Sequence, residues 1–273
     1  MAQTYLGTSG FSFDDWRGPI YPEALPKPQW LIYYEQQLGF NSVELNYTYY
    51  QLPAPRTMEG LLKKTSSEFR FTIKAHRSMT HEILGTDGTI RDNPAAFDQF
   101  RQGMQPLTDS GRLGCVLAQF PSAFSATPET MDYLQATMGR LADLPLVVEF
   151  RHRSWVRPET TALLQRRRVG WCIVDEPALP RLMPWVGEVT SDIGYVRFHG
   201  RNAAQWFGTS TAERYNYLYS EAELGELAQR LRAVRERART LFVFFNNCHA
   251  GSAARNAKQF RTLLTTDQIP ASS

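Results

Sequence analysis

Cysteine is scarce in this sequence: three in 273 residues, with no Cys-x-x-Cys spacing. That excludes a disulfide framework and the common paired-cysteine metal motifs. No apolar run approaches the roughly 18 residues that a membrane span needs. Met1-Ala2-Gln3-Thr4-Tyr5 has no basic stretch leading into an apolar one, so no signal peptide is expected. These absences lead to the expectation of a cytoplasmic protein with reduced thiols and no membrane association. Lysine is sparse as well: of 30 Lys and Arg, only five are Lys. Arginine suits planar capture of carboxylate or phosphate, although surface helices in an arginine-rich proteome use it too. The net charge is only +3, which permits nucleic-acid binding without requiring it.

What is present is enough for a large core. The hydrophobic fraction of 42% and aromatic fraction of 12% exclude a disordered chain. Eight short apolar runs read as strands: 5–8, 42–46, 69–75, 115–120, 146–151, 171–175, 195–199 and 241–246. Helical spacing separates most of them. Phe97, Phe100, Met104 and Leu107 form one apolar stripe, and Met131, Leu134, Met138 and Leu141 another. Thr127-Pro128 reads as an N-cap with proline at the first helical position. Ser220 with Glu223 reads as a capping box. The helix it opens begins acidic and ends with Arg232, Arg235, Arg237 and Arg239, a charge order that suits the helix dipole. Strands alternating with helices imply a parallel sheet, and eight in about 250 residues imply a single TIM-like (β/α)8 barrel, an α/β fold. Only nineteen residues separate Asp175 from Tyr195, and three of them are proline, so the sixth helix is expected to be short or missing. One domain spanning 1–273 is expected, with a disordered tail at 266–273.

Chemistry in such barrels sits where the strands end. Here the ends carry Glu44 and Asn46, Lys74 and His76, Gln119, Glu149 and Arg151, Asp175 and Glu176, Arg197 and His199, and Asn246 and Asn247. Residues two apart share a strand face, so Glu44, Lys74, Glu149, Arg197 and their partners should converge on the upper lumen. Two arrangements follow from such convergence. One is a set of mutually satisfied ion pairs, Glu44 with Lys74 or Glu149 with Arg197. The other is a binding site, in which Lys74, Arg151 and Arg197 clamp an anion while Glu44, Glu149 or His199 moves protons. His76, His81, Gln119, Asp175, Asn246, Asn247 and Trp206 complete the expected substrate-binding set. Whether a metal or cofactor takes part is open: no HExxH spacing occurs, and three cations in one ring would repel a divalent ion. Loop aromatics Phe11, Phe13, Trp16 and Tyr21, and later Phe207, Tyr215, Tyr217 and Tyr219, are candidates for stacking on sugars or bases. The 76–93 segment is long enough to act as a lid, and Gly7-Thr8-Ser9-Gly10 could cradle an anion through its N–H groups.

Several stretches together carry a resemblance. They are Gly7-Thr8-Ser9-Gly10-Phe11; Phe40-Asn41-Ser42-Val43-Glu44-Leu45-Asn46; Phe71-Thr72-Ile73-Lys74-Ala75; and Leu117-Ala118-Gln119-Phe120-Pro121-Ser122. Glu149-Phe150-Arg151-His152, Tyr195-Val196-Arg197-Phe198-His199-Gly200 and Phe245-Asn246-Asn247 follow. In order, these resemble the YecE-like family, also called domain of unknown function 72. The resemblance implies a TIM-barrel-like fold but no reaction, since the family carries no settled activity. Cys248-His249 stands where many members carry an acidic or basic residue, so no role is expected there. The residues themselves favour an enzyme acting on a small anionic or polyhydroxyl substrate containing phosphate or sugar, with hydrolase, lyase and isomerase chemistry open. The alternative is a DNA- or RNA-binding protein using the same cationic, aromatic-rimmed cleft. A monomer is expected.

Overall fold

The computed structural model describes residues 2–85, 89–208 and 211–266. Its eight strands are β1 Gln3–Thr8, β2 Ser42–Leu45, β3 Arg70–Lys74, β4 Leu113–Gln119, β5 Leu146–Glu149, β6 Gly170–Asp175, β7 Ile193–Phe198 and β8 Thr240–Phe245. The helices are α1 Trp30–Gln36, α2 Pro55–Leu62, α3 Arg77–Thr80, α4 Pro94–Asp109, α5 Pro128–Arg140, α6 Pro158–Arg167, α7 Thr211–Arg214, α8 Glu221–Arg237 and α9 Ser252–Thr266. All strand pairs are parallel, in the order β1-β8-β7-β6-β5-β4-β3-β2, which is a TIM-like barrel. Residues 176–192 connect β6 to β7 without an α-helix, as the three prolines require. The tail expected from 266 falls on residues 267–273, outside the described residues; Thr266 itself ends α9.

The helices form where local chemistry and apolar spacing agree. In α4, Asn93 accepts from the Ala96 N–H as the N-cap, Pro94 follows it, and Phe97, Phe100, Met104 and Leu107 are buried against the sheet. Thr127 and Ser220 both close capping boxes, at α5 and α8. Outside the sheet, Phe198, Tyr219, Phe245 and Phe260 meet edge-to-face between the strands and α9. Inside, Tyr5, Tyr195 and Phe242 pack at one level of the lumen, with Phe244 stacked on the next. Among the described residues, no helix is long and apolar enough to cross a membrane.

The ring closes between β1 and β2 by a different means. No backbone ladder joins them; side chains do. Asn41 Oδ1 accepts from the Leu6 N–H at 2.8 Å while its Nδ2 donates to the Thr4 carbonyl at 3.1 Å. Tyr34 Oη accepts from the Thr8 N–H at 2.8 Å and donates to the Ser42 carbonyl at 3.1 Å. Gly7 permits this approach: a Cβ there would lie 1.9 Å from the Ser42 oxygen. The buried Tyr34 hydroxyl therefore does the work of a strand pair. Tyr34→Phe leaves buried backbone groups unpaired and is expected to cost about 1–3 kcal/mol, read as a lower urea midpoint at unchanged m-value.

Candidate functional site

The strand ends bring together the charges that parity assigns to the lumen. Arg197 on β7 is 2% exposed and lies between two carboxylates. Its Nη2 donates to Glu44 Oε1 at 2.6 Å and its Nη1 to Glu149 Oε2 at 2.7 Å. Glu44 Oε2 also accepts from the Tyr195 hydroxyl at 2.6 Å, and Thr72 Oγ1 lies 3.0 Å from that hydroxyl. Glu149 Oε1 accepts from Arg151 Nε. Arg151 reaches on to Glu176 Oε2 at 3.1 Å and to His199 Nε2 at 3.0 Å. The result is a continuous network joining β2, β5, β6 and β7, so Arg197 is not available as a free clamp residue.

Electrostatics divide this network. Burial alone would raise the Glu149 carboxyl, but Arg151 and Arg197 hold it well below its usual range. It stays ionised, and a carboxylate so stabilised is a weak base. Burial, reinforced by Arg151, keeps His199 neutral. Its Nε2 also lies 3.3 Å from Glu149 Oε1, beside the Arg151 contact. The Asn246 amide nitrogen lies 2.9 Å from its Nδ1.

Lys74 differs from the two arginines. No carboxylate among the described residues lies within salt-bridge distance of its ammonium, which rests 4.4 Å from the centroid of the Tyr49 ring. Burial, with Arg197 and Arg151 adding repulsion, pushes its pKa down to about 7. Glu176 moves the other way: burial raises it to about 7 against the pull of Arg151. Its Oε1 meanwhile accepts from the Met183 N–H at 2.8 Å, tying the β6–β7 connection to the network.

Two cavities open above this floor, of about 320 and 250 Å³. The larger is lined by His81, Gln119, Arg151, Trp206, Arg214 and Tyr215, among others; the smaller by Ser9, Asn46, Lys74, Arg197, Asn246 and Cys248, among others. Tyr49, Arg151 and Tyr215 line both, so the two are halves of one cleft at the C-terminal mouth. Three lining residues carry a buried polar atom with no partner: Asn46 Oδ1, Arg197 Nε and Arg214 Nε. His81 is held by Thr80 Oγ1 at 2.9 Å and stands edge-on to Tyr49. Burial, with Lys74 adding, lowers its pKa to about 3, so it too is neutral.

Other expected site residues do not line this cleft. His76 Nδ1 accepts from the Ser78 N–H at 3.3 Å and caps α3. His152 does the same for Ser154 after β5, so each His-Arg-Ser triplet is a turn device. Asp175 accepts from Arg201 Nε and Nη2 and from the Tyr219 hydroxyl at 2.6 Å. Asn247 donates to the Tyr217 carbonyl and to Asn256 Oδ1, both at 2.9 Å, anchoring the end of β8 to α9. The expected anion cradle is also spoken for: Ser9 N–H donates to the Phe245 carbonyl at 2.9 Å and Gly10 N–H to that of Thr8 at 3.0 Å. Trp16, Tyr21 and Tyr219 are buried packing residues; of the aromatics expected to rim the mouth, Phe13, Trp206, Phe207 and Tyr215 line the cleft. In the expected lid, α3 and the antiparallel bridge Leu84–Ile90 pack near the barrel, and residues 86–88 lie outside the described residues. Tyr49 and Arg214 were absent from the expected set, and Glu176 was named at the end of its strand but given no role. For Tyr49 a signal existed: the Tyr47-Thr48-Tyr49-Tyr50 cluster directly follows β2. Among the described residues, no three His, Cys, Asp or Glu side chains are grouped to hold a metal ion.

Fold and mouth together define a (β/α)8-barrel protein with a buried charge network beneath a cationic, aromatic-lined cleft. The chain matches the family described as "Protein of unknown function DUF72" over residues 5–272, and it belongs to that family. It is 33% identical over 272 residues to the UPF0759 protein YunF of Bacillus subtilis, covering 95% of this chain and 94% of that one. A DUF72 family protein of Thermotoga maritima has a crystal structure 43% identical in sequence, with a TM-score of 0.87 over 96% of this chain and 99% of that one. A second, from Enterococcus faecalis, is 28% identical with a TM-score of 0.82, covering 96% of each chain. A xylose isomerase domain containing protein of Salmonella typhimurium shares the fold alone, at 13% identity and a TM-score of 0.51, over 88% of this chain and 91% of that one.

Two outcomes follow from these electrostatics. Glu176, with its raised pKa, stabilises the folded state at pH below about 4.5 and loses that contribution as pH rises through about 7. Lys74, with its lowered pKa, contributes above about 10.5 and loses the contribution as pH falls through about 7. Together they place a local minimum of stability near neutrality in a plot of urea midpoint against pH. Glu176→Gln flattens its acid side and Lys74→Met its alkaline side. Separately, Glu149→Gln leaves two buried guanidinium groups under-compensated and is expected to cost about 3–5 kcal/mol by denaturant titration.

Proposed function

We propose that the protein is an enzyme acting on a small anionic or polyhydroxyl substrate, phosphate- or sugar-containing, bound in the cleft at the C-terminal mouth of the barrel. The observation that carries this reading is the set of unmet polar groups along one cleft. Lys74 has no carboxylate partner within salt-bridge distance among the described residues. Asn46 Oδ1, Arg197 Nε and Arg214 Nε are buried and unpaired, a costly state that ligand oxygens and hydroxyls would relieve. Arg151 offers a partly exposed edge, and Arg214 lies 5.9 Å from the Trp206 ring centroid, so both cations line the larger half. Exposed Tyr50 and Phe207 line the smaller and larger halves respectively and suit stacking on a sugar ring. Proton transfer falls to Lys74, whose pKa of about 7 matches neutral operation, rather than to the arginine-locked Glu44 and Glu149. Cavities of about 320 and 250 Å³ suit a small molecule. The nucleic-acid alternative would use the same cleft and gains no support from α8, where Arg235 is buried and Arg237 is engaged with the Gly187 and Ala233 carbonyls.

Calorimetric titration with inorganic phosphate and with simple sugar phosphates tests the reading. Binding is expected, and Lys74→Met or Arg214→Ala should weaken it about tenfold each, as loss of one charge-assisted contact does. Absence of binding by any of these probes, with tight salt-sensitive binding of single-stranded DNA or RNA instead, would overturn it in favour of the alternative.

A further inference from the structure

We propose that Lys74 forms an imine with the carbonyl carbon of a small aldehyde or ketone that also carries anionic or hydroxyl groups. This inference rests on the reading of the cleft given above and narrows its substrate class to carbonyl compounds. The geometry isolates one amine. Lys74 lines the smaller cavity, its ammonium sits over the face of Tyr49, and Glu44 and Glu149, the nearest carboxylates in the network, are both held by Arg197. Arg151 and Arg197 line the same cavity. Guanidinium groups remain charged, whereas an ammonium beside them yields its proton, so the one lysine in the network is the one cation that can become a nucleophile. Its lowered pKa is in keeping with that placement.

The step balances without an outside reagent. The Nζ lone pair adds to the carbonyl carbon, and the carbonyl oxygen takes up a proton as the nitrogen loses one. The carbinolamine then expels that oxygen as water and the C=N bond forms; hydrolysis reverses it. No group is oxidised or reduced. Protonated, the imine draws electrons from the adjacent carbon, which serves carbon–carbon cleavage or isomerisation.

The scarcity of lysine makes the test clean. The full-length protein is incubated with glyoxylate, an anionic aldehyde, and with glycolaldehyde, a hydroxylated one, in the presence of cyanoborohydride, and the reduced adducts are mapped by peptide mass spectrometry. The expected result is adduct at Lys74 forming at least about tenfold faster at pH 7 than at Lys27, Lys63, Lys64 or Lys258, because ordinary lysines near pKa 10.4 are protonated there. Its rate should rise with pH and level off above about 7, and inorganic phosphate should slow it. Even labelling of all five lysines, or no label at Lys74, overturns the imine. Phosphate binding without Lys74 labelling leaves the anion site standing and removes only the imine. Rapid Lys74 labelling that phosphate neither slows nor accompanies by binding retains the imine and removes the anion site.

Discussion

The Arg197 guanidinium, buried between Glu44 and Glu149, is the interaction on which the mouth of the barrel depends. It spans the lumen from β7 to β2 and β5, just above the level of Tyr5, Tyr195 and Phe242 and in register with Phe244. Burying three charges is tolerable only because each is hydrogen-bonded to another. Once Glu44 and Glu149 are committed to Arg197, neither is left to hold Lys74. Arg151 takes the remaining oxygen of Glu149 and reaches both Glu176 and His199. The reactivity assigned to Lys74 is thus a consequence of where two carboxylates are spent.

The same network separates positioning groups from titrating ones. Glu149 and His199 are clamped in single protonation states by burial and by two arginines. Lys74 and Glu176 are the members with pKa near 7, one facing the cleft and the other behind Arg151, where it holds the connection after β6. A barrel that lacks a helix between β6 and β7 needs such an anchor. The tie from Glu176 to the Met183 N–H supplies it.

Much of this was legible in the chain. Eight apolar runs with helical spacing between them specify the barrel, and period-two alternation places Glu44, Lys74, Glu149 and Arg197 on one face. Where the reading fell short, it did so at strand ends. Asp175 lies an odd number of steps from Cys172, whose thiol faces Glu149, so it points to the outer layer and meets Arg201 and Tyr219. Asn246 and Asn247 are adjacent and cannot share a face; only the first joins His199. His76 shares parity with Lys74, but β3 stops at Lys74 and the backbone turns, making the imidazole a helix cap. Tyr49 comes from a loop, where no periodicity applies and only the aromatic cluster at 47–50 marks it.

The sequence by itself determined the strand count, the lack of a helix between β6 and β7, the capping of α5 and α8 and the ring of charged residues at one end, because each is written in local spacing and side-chain chemistry. Tertiary structure alone decided which carboxylate meets which cation, since that depends on distances across a lumen between residues as far apart as Glu44 and Arg197. It also decided that β1 and β2 are joined by Tyr34 and Asn41 side chains, a closure that no strand pattern encodes. Lys74 was visible from the start as one of five lysines; that it is left without a carboxylate while Arg151 and Arg197 are paired follows only from the packing of its neighbours.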